Sequence, residues 1–234
     1  YILRKYEVTE TTNSLSANQS GSDLNLSISG FAGGRFEIIN DKLYAAAGKR
    51  IDVVDLSTFT ITDSIFLAKP VVDATVNGEQ LYAAIFNLSE IQNDSQDLVD
   101  GGFYLIENGA LTDSLIGDYG YRKLLTVGER LFGIRWIGSG KSINPPYNFV
   151  SLNTEMVEIN GKTETVLFSE PTMASVNDYW VHFQFDEIRE RFLLPGSTDY
   201  VTSNFYIRDF SGALIKETSH PGQASNVIVL KEVQ

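Results

Sequence analysis

A short motif recurs along this chain at nearly regular spacing and constrains its fold more than any other feature. Leu43-Tyr44 and Leu81-Tyr82 each follow a polar turn and lead into small apolar residues. Leu131-Phe132 and Tyr179-Trp180 take the same place further along. Self-similarity at about 40 to 50 residues indicates repeated structural units rather than one irregular core.

Each unit is predicted to be a meander of four short antiparallel strands. In the first unit these strands cover residues 35–39, 43–47, 50–54 and 59–65, with apolar residues at alternating or paired positions. Polar turns separate them, and the tightest is Gly48-Lys49. Short alternating strands with turn residues between them are typical of an antiparallel sheet.

Repeated units of this kind predict the domain organisation. Four-stranded units arranged radially form a β-propeller, so we expect a single all-β domain of five blades, or a section of a larger propeller. A polar loop or tether is expected over residues 9–23, which are rich in Ser, Thr and Asn. The predicted blades are residues 35–65, 71–116, 121–168 and 172–218, with a fifth closed by residues 223–234 together with residues 1–29.

Composition narrows the classes of function. The net charge of −12 disfavours a nucleic-acid partner, because a phosphate backbone requires concentrated Lys and Arg. The absence of cysteine excludes disulfides, thiolate metal sites and cysteine nucleophiles. No apolar run is long enough to span a membrane, so a membrane anchor would lie outside this chain. Because the chain begins at Tyr1 rather than Met, we expect that an upstream segment has been removed, either by processing or by the choice of boundaries. We also expect an extracytoplasmic location: cell surface, periplasm or secreted.

The first unit also resembles a known family. Lys42-Leu-Tyr-Ala-Ala-Ala47 and Ile51-Asp-Val-Val-Asp55 are similar to the repeat of bacterial YVTN-type and surface-lipoprotein-like β-propellers, and the resemblance covers residues 30–218. It implies a propeller fold and extracellular binding of a small molecule, a glycan or a protein. Capture of a ligand for an outer-membrane transporter is one concrete version. These motifs are structural and do not assign an activity by themselves.

Long insertions point to a binding face. If the strands of a unit are labelled A to D outward from the axis, the B–C connection covers residues 48–49, 87–102, 138–147 and 186–203 in successive units. Alternating strand direction should bring all B–C connections to one face, and loops on a rigid scaffold carry function. The alternative is neutral drift, because lengthening a loop costs little. Residues 186–194 are expected to include a helical turn.

Two groups of residues are candidates for ligand contact. Aromatic and basic side chains near the B–C loops suit a sugar, a planar ligand or an anion, although the tryptophans could instead pack in the core and the arginines in surface ion pairs. Charged side chains on the innermost strands are expected to approach the central channel. The first group is Trp136, Tyr147, Trp180, Arg189, Arg191, Phe192 and Tyr200, and the second is Arg35, Asp73 and Lys123.

The loop of the second unit is a weak candidate for calcium. Asn93, Asp94, Asp97 and Asp100 offer the oxygen ligands that calcium prefers. Leu98 stands where an EF-hand would have glycine, so the alternative is a solvated acidic loop. No other cofactor is expected.

Catalytic signatures are lacking. The Gly-x-Ser-x-Gly, Gly-x-Gly-x-x-Gly and His-Glu-x-x-His motifs are absent, and the two histidines, His182 and His220, have no predicted partners. We therefore expect a non-enzymatic binding protein. Two alternatives remain: a glycosidase using carboxylates that face the channel, and a structural or adhesive module of a larger assembly. The identity of the ligand and the oligomeric state are left open.

Overall fold

All regular structure in the described part of the chain is β-sheet. The computed structural model describes residues 2–11, 14–26, 35–87, 95–97, 99–137, 139–141, 149–175, 184–197 and 202–221. None of these residues forms a helix that is long and apolar enough to cross a membrane. The strands are β1 (Ile2–Leu3), β2 (Tyr6–Thr11), β3 (Ser14–Gln19), β4 (Leu24–Asn25), β5 (Arg35–Ile39), β6 (Lys42–Asp55), β7 (Thr60–Asn77), β8 (Gln80–Ile85), β9 (Ser95–Asp97), β10 (Gly101–Glu107), β11 (Ala110–Gly117), β12 (Tyr119–Val127), β13 (Arg130–Ile137), β14 (Ser139–Lys141), β15 (Phe149–Asn160), β16 (Thr163–Ser175), β17 (Gln184–Asp186), β18 (Arg191–Ser197), β19 (Thr202–Asp209) and β20 (Leu214–Pro221).

The strand β6 supplies two strands of the first unit. The Leu56 amide donates a hydrogen bond of 3.0 Å to the Asp41 carbonyl, so the residues that flank β6 are neighbours. A straight strand of this length would hold its ends about 40 Å apart. The chain must therefore fold back within β6, and Gly48 lies at its centre with a φ of +59°. This geometry confirms the predicted tight turn at Gly48-Lys49.

Four consecutive four-stranded antiparallel meanders follow from the pairing. Residues 60–66 of β7 pair with the second half of β6 and complete the first unit, whereas residues 71–77 pair with β8 and open the second. The second unit continues through β10 and β11. The third unit is the sheet β12-β13-β15-β16, and the fourth is β17-β18-β19-β20. The all-β organisation expected of a β-propeller is therefore confirmed.

Consecutive units pack face to face, and the alternation of side chains along β8 shows how. Leu81, Ala83 and Ile85 belong to a core cluster shared with the first unit. Tyr82 and Ala84 belong to a second cluster shared with the third unit. Successive side chains of a strand point to opposite faces, so β8 is covered on both sides. This explains why the second strands are nearly continuous apolar runs.

The fourth unit begins later in the sequence than predicted. Residues 172–175 continue β16 and pair with β15, so they do not form the innermost strand of a new unit. That place is taken by β17, and Glu187–Glu190 form the turn into β18. Phe192 and Leu194 are buried at alternating positions, which is the periodicity of a strand. The predicted helical turn over residues 186–194 and the predicted B–C insertion over residues 186–203 are therefore wrong.

The N-terminal segment contains more structure than a tether. Within the predicted polar loop, β3 pairs with β2 to form an exposed hairpin. Leu24 and Leu26 pack against the face of the first unit that carries Leu43 and Ala45. The backbones of β2 and β3 pair with each other, and the segment is rich in Ser and Thr. The sequence therefore shows no alternating apolar pattern that would have predicted the hairpin. Residues 223–234, which were predicted to close a fifth blade together with residues 1–29, lie outside the described residues.

A glycine makes room for a buried tyrosine between the second and third units. Tyr121 is fully buried, and its hydroxyl donates a hydrogen bond of 2.5 Å to Glu164. Arg135 pairs with Glu164 and, at 2.8 Å, with Glu155. A Cβ atom on Gly133 would lie 2.3 Å from Cε1 of Tyr121. The bare backbone of Gly133 is therefore a steric requirement of this network.

We predict that Gly133→Ala destabilises the protein, although alanine is normally the better residue in a strand. Overpacking of a fixed core costs about 1 to 3 kcal/mol, which urea denaturation would measure as a lower midpoint. In a Tyr121→Ala background the same substitution should cost much less, because the ring that it meets is gone. Equal costs in both backgrounds would contradict this steric explanation.

Candidate functional site

Three charged residues predicted to approach the central channel meet in the structure. Arg35, Asp73 and Lys123 come from the inner strands of three consecutive units. Arg35 Nε lies 2.5 Å from Asp73 Oδ1, and Lys123 Nζ lies 3.7 Å from Asp73 Oδ2. The amide of Leu124 donates a hydrogen bond of 2.8 Å to Asp73 Oδ2. We call Arg35, Asp73 and Lys123 the axial cluster.

The axial cluster occupies equivalent positions of the repeat. Each member lies four residues before the last residue of its inner strand that pairs with the second strand. Those last paired residues are Ile39, Asn77 and Val127. Because these equivalent positions meet, the inner strands of the three units lie side by side around a common axis. The same count from Asp186 reaches His182, which lies outside the described residues.

The electrostatics of the axial cluster centre on a buried carboxylate. Asp73 is 1% exposed, whereas the side chains of Lys123 and Arg35 are 24% and 41% exposed. A buried carboxylate requires partners, and Asp73 has two cations and an amide. Glu37 lies two residues after Arg35 on the same face of β5. Burial raises the pKa of Glu37, and the nearby charge of Asp73 raises it further.

An open cleft adjoins the axial cluster at Lys123. Its volume is about 440 Å³, and it lies between the inner strands β12 and β17 of the third and fourth units. Gly128 and Glu187, which line it, belong to the A–B turns of these units. The cleft therefore reaches the face of the domain that carries the A–B turns. Its lining residues are Lys123, Leu125, Thr126, Val127, Gly128, Gln184, Phe185 and Glu187.

Two of the long B–C loops join each other on the opposite face. The strand β9, in the loop of the second unit, pairs antiparallel with β14, in the loop of the third unit. The base of the first loop is closed by Asn87 and Val99, whose backbone and side-chain hydrogen bonds measure 3.3 and 3.0 Å. We call the β9–β14 pair the loop clasp. The pairing confirms that these two connections emerge on the same face.

Other predicted contact residues have structural environments. Trp136 is 2% exposed and packs its ring 5.5 Å from that of Phe86, so it is part of the core. Phe192 is fully buried, and its ring centroid lies 4.9 Å from that of Phe132. Trp136 therefore has the core position that was the alternative to ligand contact, and strand alternation turns both rings inward. Arg191, at the start of β18, is half-buried. Tyr147, Trp180 and Tyr200 lie outside the described residues.

The arginine of the fourth turn is part of a local ion pair. Arg189 Nη1 lies 3.0 Å from Asp186 Oδ2, and the amides of Ile188 and Arg189 donate to Asp186 Oδ1. These interactions hold the pKa of Asp186 below its usual value. Arg189 therefore has the surface ion pair that was the alternative to ligand contact.

Two of the four candidate calcium ligands, Asp97 and Asp100, lie in the described part of the chain. Asp100 Oδ2 lies 3.1 Å from Lys69 Nζ, so a cation already occupies this carboxylate. Asp97 belongs to β9, and Asn93 and Asp94 lie outside the described residues. No group of three or more His, Cys, Asp or Glu side chains suited to a metal occurs in the described part of the chain.

One residue of the site was missed by the sequence argument. Glu37 shares a face of β5 with Arg35, and strand periodicity alone would have placed it near the axis. Its half-burial depends on the neighbouring unit, which no local pattern reveals.

Comparisons with known proteins describe the fold only. No family model matches the chain, and no curated protein matches it. Similar solved structures include hydrazine synthase of Kuenenia stuttgartiensis, at 14% identity and a TM-score of 0.48, over 74% of this chain and 51% of that one. They also include the Cps50 (Swd1) β-propeller domain of Myceliophteria thermophila, at 11% identity and a TM-score of 0.38, over 82% and 71% of the two chains. A putative 6-phosphogluconolactonase of Bacteroides fragilis is similar at 10% identity and a TM-score of 0.42, over 98% and 84%.

The present chain spans about half the length of the hydrazine synthase chain. At these identities and TM-scores, the likenesses carry no inference about activity, ligands or partners.

We predict that Asp73→Asn lowers the free energy of unfolding by about 1 to 3 kcal/mol. Removing one member of a buried ion pair costs roughly 3 to 5 kcal/mol, and partial exposure of Arg35 and Lys123 reduces this cost. Urea denaturation provides the measurement. Asp113→Asn is the matched control, because Asp113 and Lys162 form an exposed pair at 2.7 Å, whose loss should hardly change stability. Similar effects of the two substitutions would contradict a special role for Asp73.

We predict that Glu37→Gln raises the melting temperature at neutral pH. The raised pKa of Glu37 means that its ionised form disfavours folding above that pKa, and this cost disappears as the pH falls below the ordinary carboxyl value of 4.5. The advantage of the variant should therefore shrink on acidification.

Glu158→Gln is the opposite control, because Arg130 lowers the pKa of Glu158. Its carboxylate contributes stability above pH 4.5, and this contribution is lost as the pH falls through the lowered pKa. Glu158→Gln should therefore be harmful at neutral pH and less harmful in acid. Parallel pH profiles for the two variants would contradict the assignment.

Proposed function

We propose that this chain is a β-propeller binding module that acts outside the cytoplasm and engages its partner through the loop clasp. The carrying observation is the pairing of β9 with β14, which joins B–C loops from two different units. The partner class is a small molecule, a glycan or a protein.

The geometry of the two loops supports a binding role over neutral drift. A long loop that is ordered only on binding loses affinity to conformational entropy. Here the loop of the second unit is closed at its base by Asn87 and Val99, and Lys69 pairs with Asp100 beside that base. The loop of the third unit supplies the paired strand β14. Independent drift of two insertions does not require them to hydrogen-bond to each other.

An extracytoplasmic setting is supported by the sequence alone. The Leu-Tyr-Ala-Ala repeat resembles surface β-propellers, and the chain has no cysteine and a net charge of −12. A strongly acidic surface keeps a protein soluble and favours partners that are not polyanions. Delivery of a captured ligand to an outer-membrane transporter is the concrete form of this proposal.

A glycosidase is the second candidate, and one observation favours it. Glu37 and Asp73 are carboxyl groups near the axis, and burial raises the pKa of Glu37, as a general acid requires. Asp73, however, is 1% exposed, forms an ion pair with Arg35 and accepts a hydrogen bond from the Leu124 amide, so it cannot contact a substrate as nucleophile or base. Neither carboxylate lines the cleft. Binding without catalysis is therefore the better-supported function.

A purely structural module is less well supported. Such a module should present a continuous apolar patch to its neighbours. The exposed large apolar side chains of the described residues are spread over strands and turns of all four units and the N-terminal segment. Phe36 and Ile38 on β5 are neighbours on one strand face. Two side chains alone make a small patch.

We predict that ligand binding is lost when the loop of the second unit is shortened. Residues 88–98 can be replaced by Asn-Gly. Asn87 and Val99 are hydrogen-bonded to each other, as are the two residues that flank a two-residue hairpin turn. Thermal shift of the intact chain against calcium, surface glycans and iron-loaded siderophores identifies a ligand through the stability that binding adds. The shortened variant should lose that shift and keep its own fold.

Glu79→Ser, in an A–B turn on the opposite face, is the control and should retain the shift. A ligand that stabilises the shortened variant as strongly as the intact chain would contradict binding through the loop clasp. Hydrolysis of any glycan in the panel would instead favour the glycosidase candidate.

A further inference from the structure

A second binding site lies on the face opposite the loop clasp. We infer that the cleft between the third and fourth units binds a small, singly charged organic acid, with its carboxylate at Lys123 and its hydrocarbon part on Leu125, Val127 and Phe185. This inference goes beyond the proposed function and does not depend on it.

The first support is the incomplete coordination of Lys123. Among the described residues, its ammonium has one ion-pair partner, Asp73, at 3.7 Å, which is longer than a hydrogen bond. Asp73 has closer partners in Arg35 at 2.5 Å and the Leu124 amide at 2.8 Å. An ammonium group carries three donors, and this one is only 24% exposed. Within the described ranges, Lys123 therefore has no acceptor at hydrogen-bond distance, in a place where water is limited.

The second support is the position of the cleft relative to that ammonium. Lys123 lines the cleft as well as belonging to the axial cluster. A volume of about 440 Å³ lies within the range of small-molecule sites, which is about 300 to 1,000 Å³. An acceptor entering the cleft reaches Lys123 without disturbing the ion pair of Arg35 and Asp73.

The walls define the rest of the ligand. Lys123, Leu125 and Val127 alternate along β12 and therefore share one face. Leu125, Val127 and Phe185 pack against the same core cluster between the third and fourth units. These three side chains give the cleft an apolar side beyond the ammonium. A carboxylate followed by a ring or short alkyl chain matches this order of charge and hydrocarbon.

Charge at the mouth restricts the ligand to one negative charge. Glu187 is exposed at the edge of the cleft, and the whole chain has a net charge of −12. Both features repel a second anionic group. The half-buried Gln184 adds a neutral hydrogen-bonding group on the wall facing β12.

Calorimetric titration of the intact chain with 3-phenylpropionate tests the inference. The neutral 3-phenylpropanol and the doubly charged phenylsuccinate are the comparison ligands. We expect the monoanion to bind at least about tenfold more tightly than the alcohol, because a charge-assisted hydrogen bond accounts for that factor. The dianion should bind more weakly than the monoanion. Absence of acid binding at millimolar concentrations, or equal binding of acid and alcohol, would overturn the inference.

Substitutions locate the binding within the cleft. Lys123→Met keeps the length of the side chain and removes its charge, and it should weaken acid binding about tenfold. Lys162→Met is the matched control, because Lys162 also has an ion-pair partner, Asp113, but does not line the cleft. Retained affinity in Lys123→Met would overturn the assignment.

Two further variants cover other outcomes. Gln184→Glu adds a negative charge to the opposite wall, so it should weaken binding of the acid without affecting the alcohol, even if Lys123→Met does not fold. The variant with residues 88–98 replaced should bind the acid normally. Loss of acid binding in that variant would assign the acid to the loop clasp and overturn the cleft site.

Discussion

The buried carboxylate of Asp73 is the interaction on which the rest of this structure depends. It joins Arg35 of the first unit to Lys123 of the third, and it accepts the amide hydrogen of Leu124. A carboxylate that is 1% exposed is stable only where its partners are held in place. The inner strands of three units must therefore stay side by side. Once they do, the alternating strand directions place the A–B turns on one face and the B–C loops on the other.

Close packing of the units follows from the same arrangement. Sheets that meet near an axis leave little room between their inner strands. The second strands therefore contain small residues such as Ala45, Ala83 and Ala84, all fully buried. Where a large ring enters this space, the facing strand makes room, as Gly133 does for Tyr121. Tyr121 then extends its hydroxyl to Glu164 at 2.5 Å. The repeated Leu-Tyr motif of the sequence therefore marks second strands whose two faces are both buried.

The predictability of the structure differs between units for physical reasons. The first two inner turns are the two-residue turns Asn40-Asp41 and Gly78-Glu79. Positive φ values occur at Asn40, Asp41 and Gly78, and local chemistry specifies such turns well. The fourth turn has four residues, Glu187–Glu190, and follows an inner strand of only three described residues. Its run of charged residues resembles the first turn of a helix, which is why a helical turn was predicted there. The pairing of β9 with β14 joins residues far apart in sequence. No local pattern carries that information. The axial cluster was predictable because the repeat defines equivalent positions, whereas the burial of Glu37 depends on its neighbours.

The face with the loop clasp and the face with the cleft differ in how strictly they determine the chemistry of a ligand. The loop clasp is held together by backbone hydrogen bonds between β9 and β14. Its side chains can therefore vary with the ligand, as the side chains of loops on a rigid scaffold generally do. The cleft has a fixed chemistry, because Lys123 belongs to the axial cluster as well as to the cleft wall. An anion at Lys123 would compete with Asp73 for the ammonium group. Asp73 keeps Arg35 at 2.5 Å and the Leu124 amide at 2.8 Å, so the competition removes only its longest contact. The architecture can therefore accept a charged ligand beside its axis without losing the interaction that holds its inner strands together.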